Sequence, residues 1–175
     1  MRRLFQLLMV LMLCLFSLGA YASGDADFIY VNYEGTDFKC YNLQNVYAGV
    51  LKGDFTDDLK VGGKEFKGNY LILKVAVHNN RVAPIMNDKS GFTLFDKVKG
   101  ARFEVDSNIH SALYINNNNN AVATKLNPGT NRIYTLVFNI PANFVADNHV
   151  LVVCPDVNRM NEAFVVPLHP HKKKV

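Results

Sequence analysis

The clearest alternation of hydrophobic and polar positions in this chain runs from Tyr70 to His78. One face of this extended segment is entirely apolar and predicts a strand side that is buried in a core. Asn79 and Asn80 are predicted to end the strand, because Asn tolerates left-handed backbone and its side chain satisfies turn amides. The apolar face consists of Leu71, Leu73, Val75 and Val77, and the mixed face of Tyr70, Ile72, Lys74, Ala76 and His78.

Shorter apolar runs, separated by turn residues, predict further strands on both sides of this one. Lys52 to Asn69 contains four glycines among Asp and Lys and is interpreted as a loop. No convincing helical periodicity follows the N-terminal region. Eight or nine short strands predict an all-β, antiparallel sandwich. The other predicted strands are Asp27–Tyr33, Lys39–Val50, Phe92–Phe95, Arg102–Val105, Arg132–Ile140, Val150–Cys154 and Ala163–Leu168.

The N-terminus is predicted to be a signal peptide that spans residues 1–22. Arg2 and Arg3 precede an apolar run, and Ala20-Tyr21-Ala22 provides the small residues of a cleavage site. The run is too short for a permanent membrane helix. A twin-arginine signal and a lipid anchor at Cys14 fit the pattern less well. The chain is therefore expected to be exported, either to the periplasm or out of the cell.

Charge and length describe one nearly neutral domain. The leader holds two of the 19 basic residues and none of the 15 acidic ones, which leaves 17 basic and 15 acidic side chains. Lys172–Lys174 supply three of the positive charges, so no clustered basic face predicts nucleic-acid binding. We expect a single domain over residues 23–168, no later transmembrane segment, and a basic flexible tail over residues 169–175.

Two cysteines remain after the leader, Cys40 and Cys154. An even pair in an exported chain predicts a disulfide, which in the chain-entropy model would stabilise the fold by about 4–5 kcal/mol. The alternative is two separately buried thiols, since Cys also behaves as a small apolar residue.

The order of motifs resembles a telokin-like, immunoglobulin-fold family of exported bacterial domains of unknown function, many of them lipoproteins or secreted antigens. The resemblance covers Val46 to Val153 and implies an immunoglobulin-like sandwich. It implies no catalytic residues. This chain departs from the pattern in lacking a lipid-anchoring cysteine. The residues that carry it are Val75, Val77, Asn79, Phe92, Leu94, Asp96, Leu126, Pro128, Gly129, Leu136, Val137, Phe138 and Pro141.

Several of these positions have turn-forming explanations that need no ligand. Asn79 is predicted to bond loop backbone groups, and Gly129 after Pro128 to adopt the positive φ of a tight turn. Asp96 follows a strand and either caps a turn or presents a charge to a partner.

The remaining side chains predict neither catalysis nor a cofactor. The Ser and His residues form no nucleophile-elbow motif, and Asp57-Asp58 lie in a glycine-rich segment rather than a pocket. Cys154 and Met160 lack the intervening His of a blue-copper site. His169-Pro170-His171 is interpreted as a solvated tail, with loose metal binding or contact with an anionic envelope surface as alternatives.

The sequence thus predicts a non-catalytic binding domain whose partner is a protein or another envelope component. A small metal or ligand carrier is the alternative. A sandwich of this kind binds through its end loops or an exposed sheet edge. Tyr114 is expected on a strand with one buried face, where ordinary packing is the alternative to binding. The candidate binding residues are Tyr114, Asn116, Asn117, Asn118, Asn119, Asn120, Gly62 and Gly63.

Overall fold

The computed structural model describes residues 28–116, 124–159, 161–170 and 172. The predicted leader lies outside these residues. Apart from helix α1 (Ser107–Asn116) and two single-turn 3-10 helices (Lys89–Gly91 and Ala146–Asn148), the regular elements described are strands. They are β1 (Phe28–Tyr33), β2 (Thr36–Leu43), β3 (Val46–Val61), β4 (Lys64–Asn79), β5 (Ile85–Asn87), β6 (Phe92–Asp96), β7 (Arg102–Glu104), β8 (Thr124–Leu126), β9 (Thr130–Asn139), β10 (His149–Val153) and β11 (Phe164–Pro167).

Two antiparallel sheets form a sandwich, which confirms the predicted all-β class. The first sheet has the strand order β1-β2-β3-β4-β9, and the second has the order β11-β10-β6-β7. A small pair, β5 and β8, accompanies them. The inner core includes Val46, Ala48, Val50, Leu71, Leu73, Val75, Val77, Phe92, Leu94, Tyr134, Leu136, Phe138, Leu151, Val153 and Val166.

Strand β4 has the predicted apolar face. Leu71, Leu73, Val75 and Val77 are at most 2% exposed and belong to the inner core. The opposite face is also covered, since Ala76 is fully buried. The five-stranded sheet is therefore packed on both sides.

The β1–β2 hairpin covers one half of the outer face. Tyr47 and Ala76 alternate with inner-core residues and so point away from the core. A Cβ placed on Gly49 would lie 2.5 Å from Lys39 O, which shows that β2 curls directly over β3. We call the resulting group the hairpin cluster: Val31, Phe38, Cys40, Tyr47, Leu51 and Ala76.

Helix α1 covers the other half of the outer face. Asp106 begins it, because its Oδ1 accepts the amides of Asn108 and Ile109 and so satisfies two donors of the first turn. The prediction that no substantial helix follows the leader was wrong, and Tyr114 lies in this helix rather than on a strand. The helix cluster consists of Val61, Tyr70, Ile109, Ala112 and Val137.

The predicted loop from Lys52 to Asn69 was also wrong. These residues continue β3 and β4 as one long hairpin, which turns at Gly62-Gly63. Both glycines have positive φ, of 57° and 76°, as a two-residue hairpin turn requires. Packing of Val61 on helix α1 supports the far end of the hairpin despite its polar composition.

The predicted disulfide is not present. Cys40 and Cys154 are both free and buried. Cys40 lies in the hairpin cluster on the outer face, where burial raises its thiol pKa to about 12. Cys154 follows β10, and its thiol donates to Asp156 O at 3.4 Å. Each cysteine therefore has its own packing environment, as the alternative reading held.

The turn interpretations of Asn79 and Gly129 are confirmed, and of the two roles left open for Asp96 the structure shows the turn cap. Asn79 Nδ2 donates to Ala83 O and Leu126 O, and its Oδ1 accepts the Arg81 amide. Gly129 has a φ of 71°. Asp96 Oδ1 accepts the amides that follow it in the β6–β7 turn, which lowers the pKa of its carboxyl.

Candidate functional site: a groove beside strand β3

Strands β2 and β3 separate to form a fork. They pair only from Tyr41↔Ala48 to Leu43↔Val46, next to their connecting turn. A register irregularity between Val50 and Lys52 follows in β3. From that point the strand pairs only with β4 among the described residues, so its other edge offers backbone groups to a further strand.

A recess of about 360 Å³ fills this fork, and we call it the fork groove. Its lining combines apolar side chains with a rim that carries both signs of charge. Lys52 and Asp54 on the rim form an exposed ion pair of 3.2 Å, which raises the pKa of Lys52. The apolar lining includes Phe38, Leu51, Phe55, Leu71, Leu73 and Leu168, and the charged or titratable rim includes Glu34, Lys52, Asp54, His169 and Lys172.

The end of the chain lines the β2 side of the groove. Lys172 forms an isolated antiparallel bridge with Phe38, and its ammonium lies 6.0 Å from the centre of that ring. His169 Nε2 lies 2.6 Å from Asp147 Oδ1. The segment thus occupies a strand-like position next to β2, and among the described residues no strand pairs with the neighbouring edge of β3 beyond Ala48.

Phe55 is the exposed aromatic residue of the groove. It is 60% exposed, and its ring centre lies 5.8 Å from that of Phe144. A second recess of about 340 Å³ lies between Phe55, Phe144 and Tyr70. Phe55 therefore separates two adjoining recesses and is placed to contact a ligand that occupies either one.

A buried pair, Asp96 and His149, lies behind Phe144. The imidazole stacks on Phe144 with 4.0 Å between ring centres. His149 Nδ1 is 2.7 Å from Val145 O, and because a carbonyl only accepts, this nitrogen carries the proton. Nε2 faces Asp96 Oδ2 at 3.6 Å, so the two groups form an ion pair only when the ring is doubly protonated.

The candidate residues from the sequence lie elsewhere. Gly62 and Gly63 form the tip of the β3–β4 hairpin, which packs on helix α1 through Val61. Tyr114 and Asn116 are in that helix, so these two candidates and the hairpin tip belong to elements that pack on each other. Asn117–Asn120 lie outside the described residues. None of the described candidates lines the fork groove.

The groove residues of β3 were missed because Lys52–Asn69 was interpreted as a loop. Phe55, Leu59 and Val61 are separated by even intervals, a spacing typical of strands. The pattern does not give their faces, because the irregularity between Thr56 and Asp58 leaves Phe55 opposite the inner-core residue Leu71, whereas Leu59 and Val61 pack in the helix cluster. In the sequence, the glycines and charges of this segment outweighed the strand pattern.

Within the described ranges, no group of three or more His, Cys, Asp or Glu side chains is arranged to hold a metal ion. No helix in those ranges is long and apolar enough to cross a membrane.

The fold and groove define a β-sandwich domain in which, among the described residues, β3 beyond Val50 pairs on one edge only. The chain belongs to the family described as "Domain of unknown function (DUF4352)", whose model matches residues 42–154. The matched range nearly coincides with Val46 to Val153, the range that carries the resemblance to telokin-like domains. The family model does not itself identify the chain as telokin-like. No curated protein matches the chain significantly.

Two solved structures share the fold. The yjhA protein from Bacillus subtilis has a TM-score of 0.54 at 17% identity, over 74% of this chain and 96% of that one. A conserved hypothetical protein from Bacillus anthracis has a TM-score of 0.52 at 13% identity, over 87% of this chain and 100% of that one. At such identities the similarity extends to the fold alone.

Proposed function

We propose that this chain is an exported, non-catalytic, immunoglobulin-like interaction domain of the telokin-like type. It acts in the bacterial envelope or outside the cell and binds an extended segment of a partner protein in the fork groove. The observation that carries the proposal is the one-sided pairing of β3 beyond Val50, next to an apolar recess.

The chemistry of the groove fits strand addition. An extended segment that pairs with a free edge gains main-chain hydrogen bonds, while pockets on either side select its alternate side chains. The recess beside Leu51 and the exposed ring of Phe55 provide apolar contacts for such side chains. Lys52 and Asp54 lie between them along the strand, and their opposite charges favour a segment that carries both signs.

Among the described residues, no contact specifically favours the metal-carrier alternative. His169, the described imidazole of the tail, is engaged with Asp147 at 2.6 Å. Further metal ligands for such a carrier would have to be residues outside the described ranges.

Site-specific photocrosslinking tests the proposal. A benzoylphenylalanine is placed at Phe55 in the protein expressed in its own host, and the matched control carries it at Val82, which is fully exposed in the loop after β4. We expect a discrete crosslinked protein from position 55 and none from position 82. The same product from both positions, or none from position 55, would contradict groove binding.

Two further measurements define the mode of binding and the localisation. A peptide taken from the crosslinked segment should protect the amides of Leu51–Phe55 from hydrogen exchange. Protection elsewhere would refute strand addition at β3. Sequencing the N-terminus of the exported chain tests the predicted cleavage after Ala22.

A further inference from the structure

The outer face of the four-stranded sheet differs from that of the five-stranded sheet. Leu94, Leu151 and Val166 are fully buried and point into the inner core, so the residues between them point outward. Cross-strand registers place the outward residues in two rows. The first row is Pro167, Val150, Phe95 and Arg102, and the second is Val165, Val152, Thr93 and Glu104.

This face, which we call the β11–β7 face, is apolar across three strands. Val165 is 50% exposed, and Phe95, Val150 and Val152 are partly exposed. Among the residues that the structure describes, the two covering elements, the β1–β2 hairpin and helix α1, both lie on the other sheet. An apolar sheet face without such a cover is a typical site of protein association.

The polar side of the face carries two opposite charges on the edge strand β7. Arg102 and Glu104 are exposed and lie two residues apart on the same side. Neither forms an ion pair with another described residue. The two charges therefore remain available to a partner.

The two rows are complementary to themselves. A twofold axis that runs across the strands, midway between the rows, places one row of a copy over the other row of its partner. Arg102 then faces Glu104 of the second copy, and this contact occurs twice. Along the rest of the rows Phe95 meets Thr93, and the aliphatic residues meet one another.

We propose that the β11–β7 face joins two copies of this chain in a twofold symmetric dimer. Two rows across four strands cover roughly 250–300 Å² per copy at ordinary strand spacing. A standard stable interface buries about 800 Å² per partner, so the dimer is weak and forms at high local concentration. Its charge contacts make it weaker at high salt. This inference does not depend on the fork groove.

Sedimentation velocity over a range of protein concentrations tests the dimer. The wild-type chain should associate reversibly, and Arg102→Glu or Glu104→Arg should each weaken association by about ten-fold or more, because like charges then face each other. Both residues are exposed, so the variants should keep the wild-type unfolding temperature. Val98→Lys, at a 71% exposed turn position off the face, is the matched control and should dimerise like wild type.

Charge exchange makes the test specific for this geometry. The double variant Arg102→Glu/Glu104→Arg should recover wild-type association. An equimolar mixture of the two single variants should form a heterodimer, because one copy then presents two negative charges and the other two positive charges. A wild-type chain that stays monomeric at all concentrations, or single variants that dimerise normally, would overturn the proposal, as would a mixture that does not associate.

Discussion

Substitution of Gly49 by alanine should disrupt the packing of β2 on the outer face of β3 and lower the stability of the fold. In Gly49→Ala the new Cβ would lie 2.5 Å from Lys39 O and 2.8 Å from Cys40 Sγ, whereas real Cβ atoms do not approach other atoms below 3.0 Å. Lys39 O belongs to the backbone and cannot rotate away, so β2 must move off β3. Overpacking of this kind costs about 1–3 kcal/mol, and we expect a value near the upper end.

Gly53→Ala on the same strand is the matched control. Its Cβ would meet only the Leu73 Cδ2 atom, at 3.3 Å, and that side chain can adjust. Both variants lower the entropy of the unfolded chain equally, so this contribution cancels in the comparison.

Thermal and denaturant unfolding of the two variants measure the difference. We expect Gly49→Ala to be about 2–3 kcal/mol less stable than Gly53→Ala, or roughly 4–12 °C lower in Tm. Adding Cys40→Ala should recover only part of the loss, since the clash with the Lys39 carbonyl remains. Equal stability of the two glycine variants would refute the close approach of β2 over β3.

Three other substitutions or treatments have defined outcomes. Asn79→Ala should lower the free energy of unfolding by about 2–3 kcal/mol, because it leaves buried carbonyl and amide groups unpaired. Asn80→Ala, at an exposed position, is the control and should change it little. Equal effects of the two substitutions in denaturant titrations would count against the bonding role of Asn79. The folded-state pKa of Asp96 is lowered, so the stability it contributes is present above its ordinary pKa of about 3.9 and is lost as pH falls through the folded value. Unfolding of Asp96→Asn should therefore depend less steeply on pH in that range, and parallel profiles would contradict this reasoning. Finally, Cys40 and Cys154 should resist alkylation in the native chain and react without prior reduction once it is unfolded, as mass spectrometry would show; a requirement for reductant would indicate a disulfide.

Strands with a strong local pattern were predictable from sequence. The alternation in β4, the β6–β7 hairpin and the apolar run of β9 all follow from side chains that must face one core. Asn79 and Gly129 were predictable for a related reason, because their backbone requirements are local. For these elements, the sequence of a few neighbouring residues is sufficient to predict the local structure.

The elements that sequence did not predict depend on contacts between distant segments. Helix α1 is only ten residues long and has a weak hydrophobic pattern, so it is stabilised mainly by packing on the sheet. The distal half of the β3–β4 hairpin contains glycine and many charges, and it persists through its hydrogen-bond ladder and its contact with that helix. The cysteines illustrate the same point, since an even count cannot report the distance between two residues.

The fork groove depends both on the local sequence of β3 and on contacts between distant segments. Phe55 and Lys52 lie on a strand whose existence depends on a partner strand and a distant helix. Their exposure depends further on where β2 leaves β3, which happens next to the close approach at Gly49. The chemistry of the candidate site could therefore be read from the residues only after the topology was known.

The coverage of one sheet by two separate elements has a consequence for how the molecule opens. Strands β3, β4 and β9 contribute to the inner core and to both outer clusters. The β1–β2 hairpin packs mainly in the hairpin cluster, with Tyr41 and Leu43 also against the inner core, and helix α1 packs in the helix cluster. Opening of either cover would therefore expose mainly one outer cluster and leave β3, β4 and β9 paired. We therefore expect two partial unfolding units, the β1–β2 hairpin and helix α1, on the same three strands. Amide hydrogen exchange in β1 and α1 should proceed through openings of lower free energy than exchange in β4.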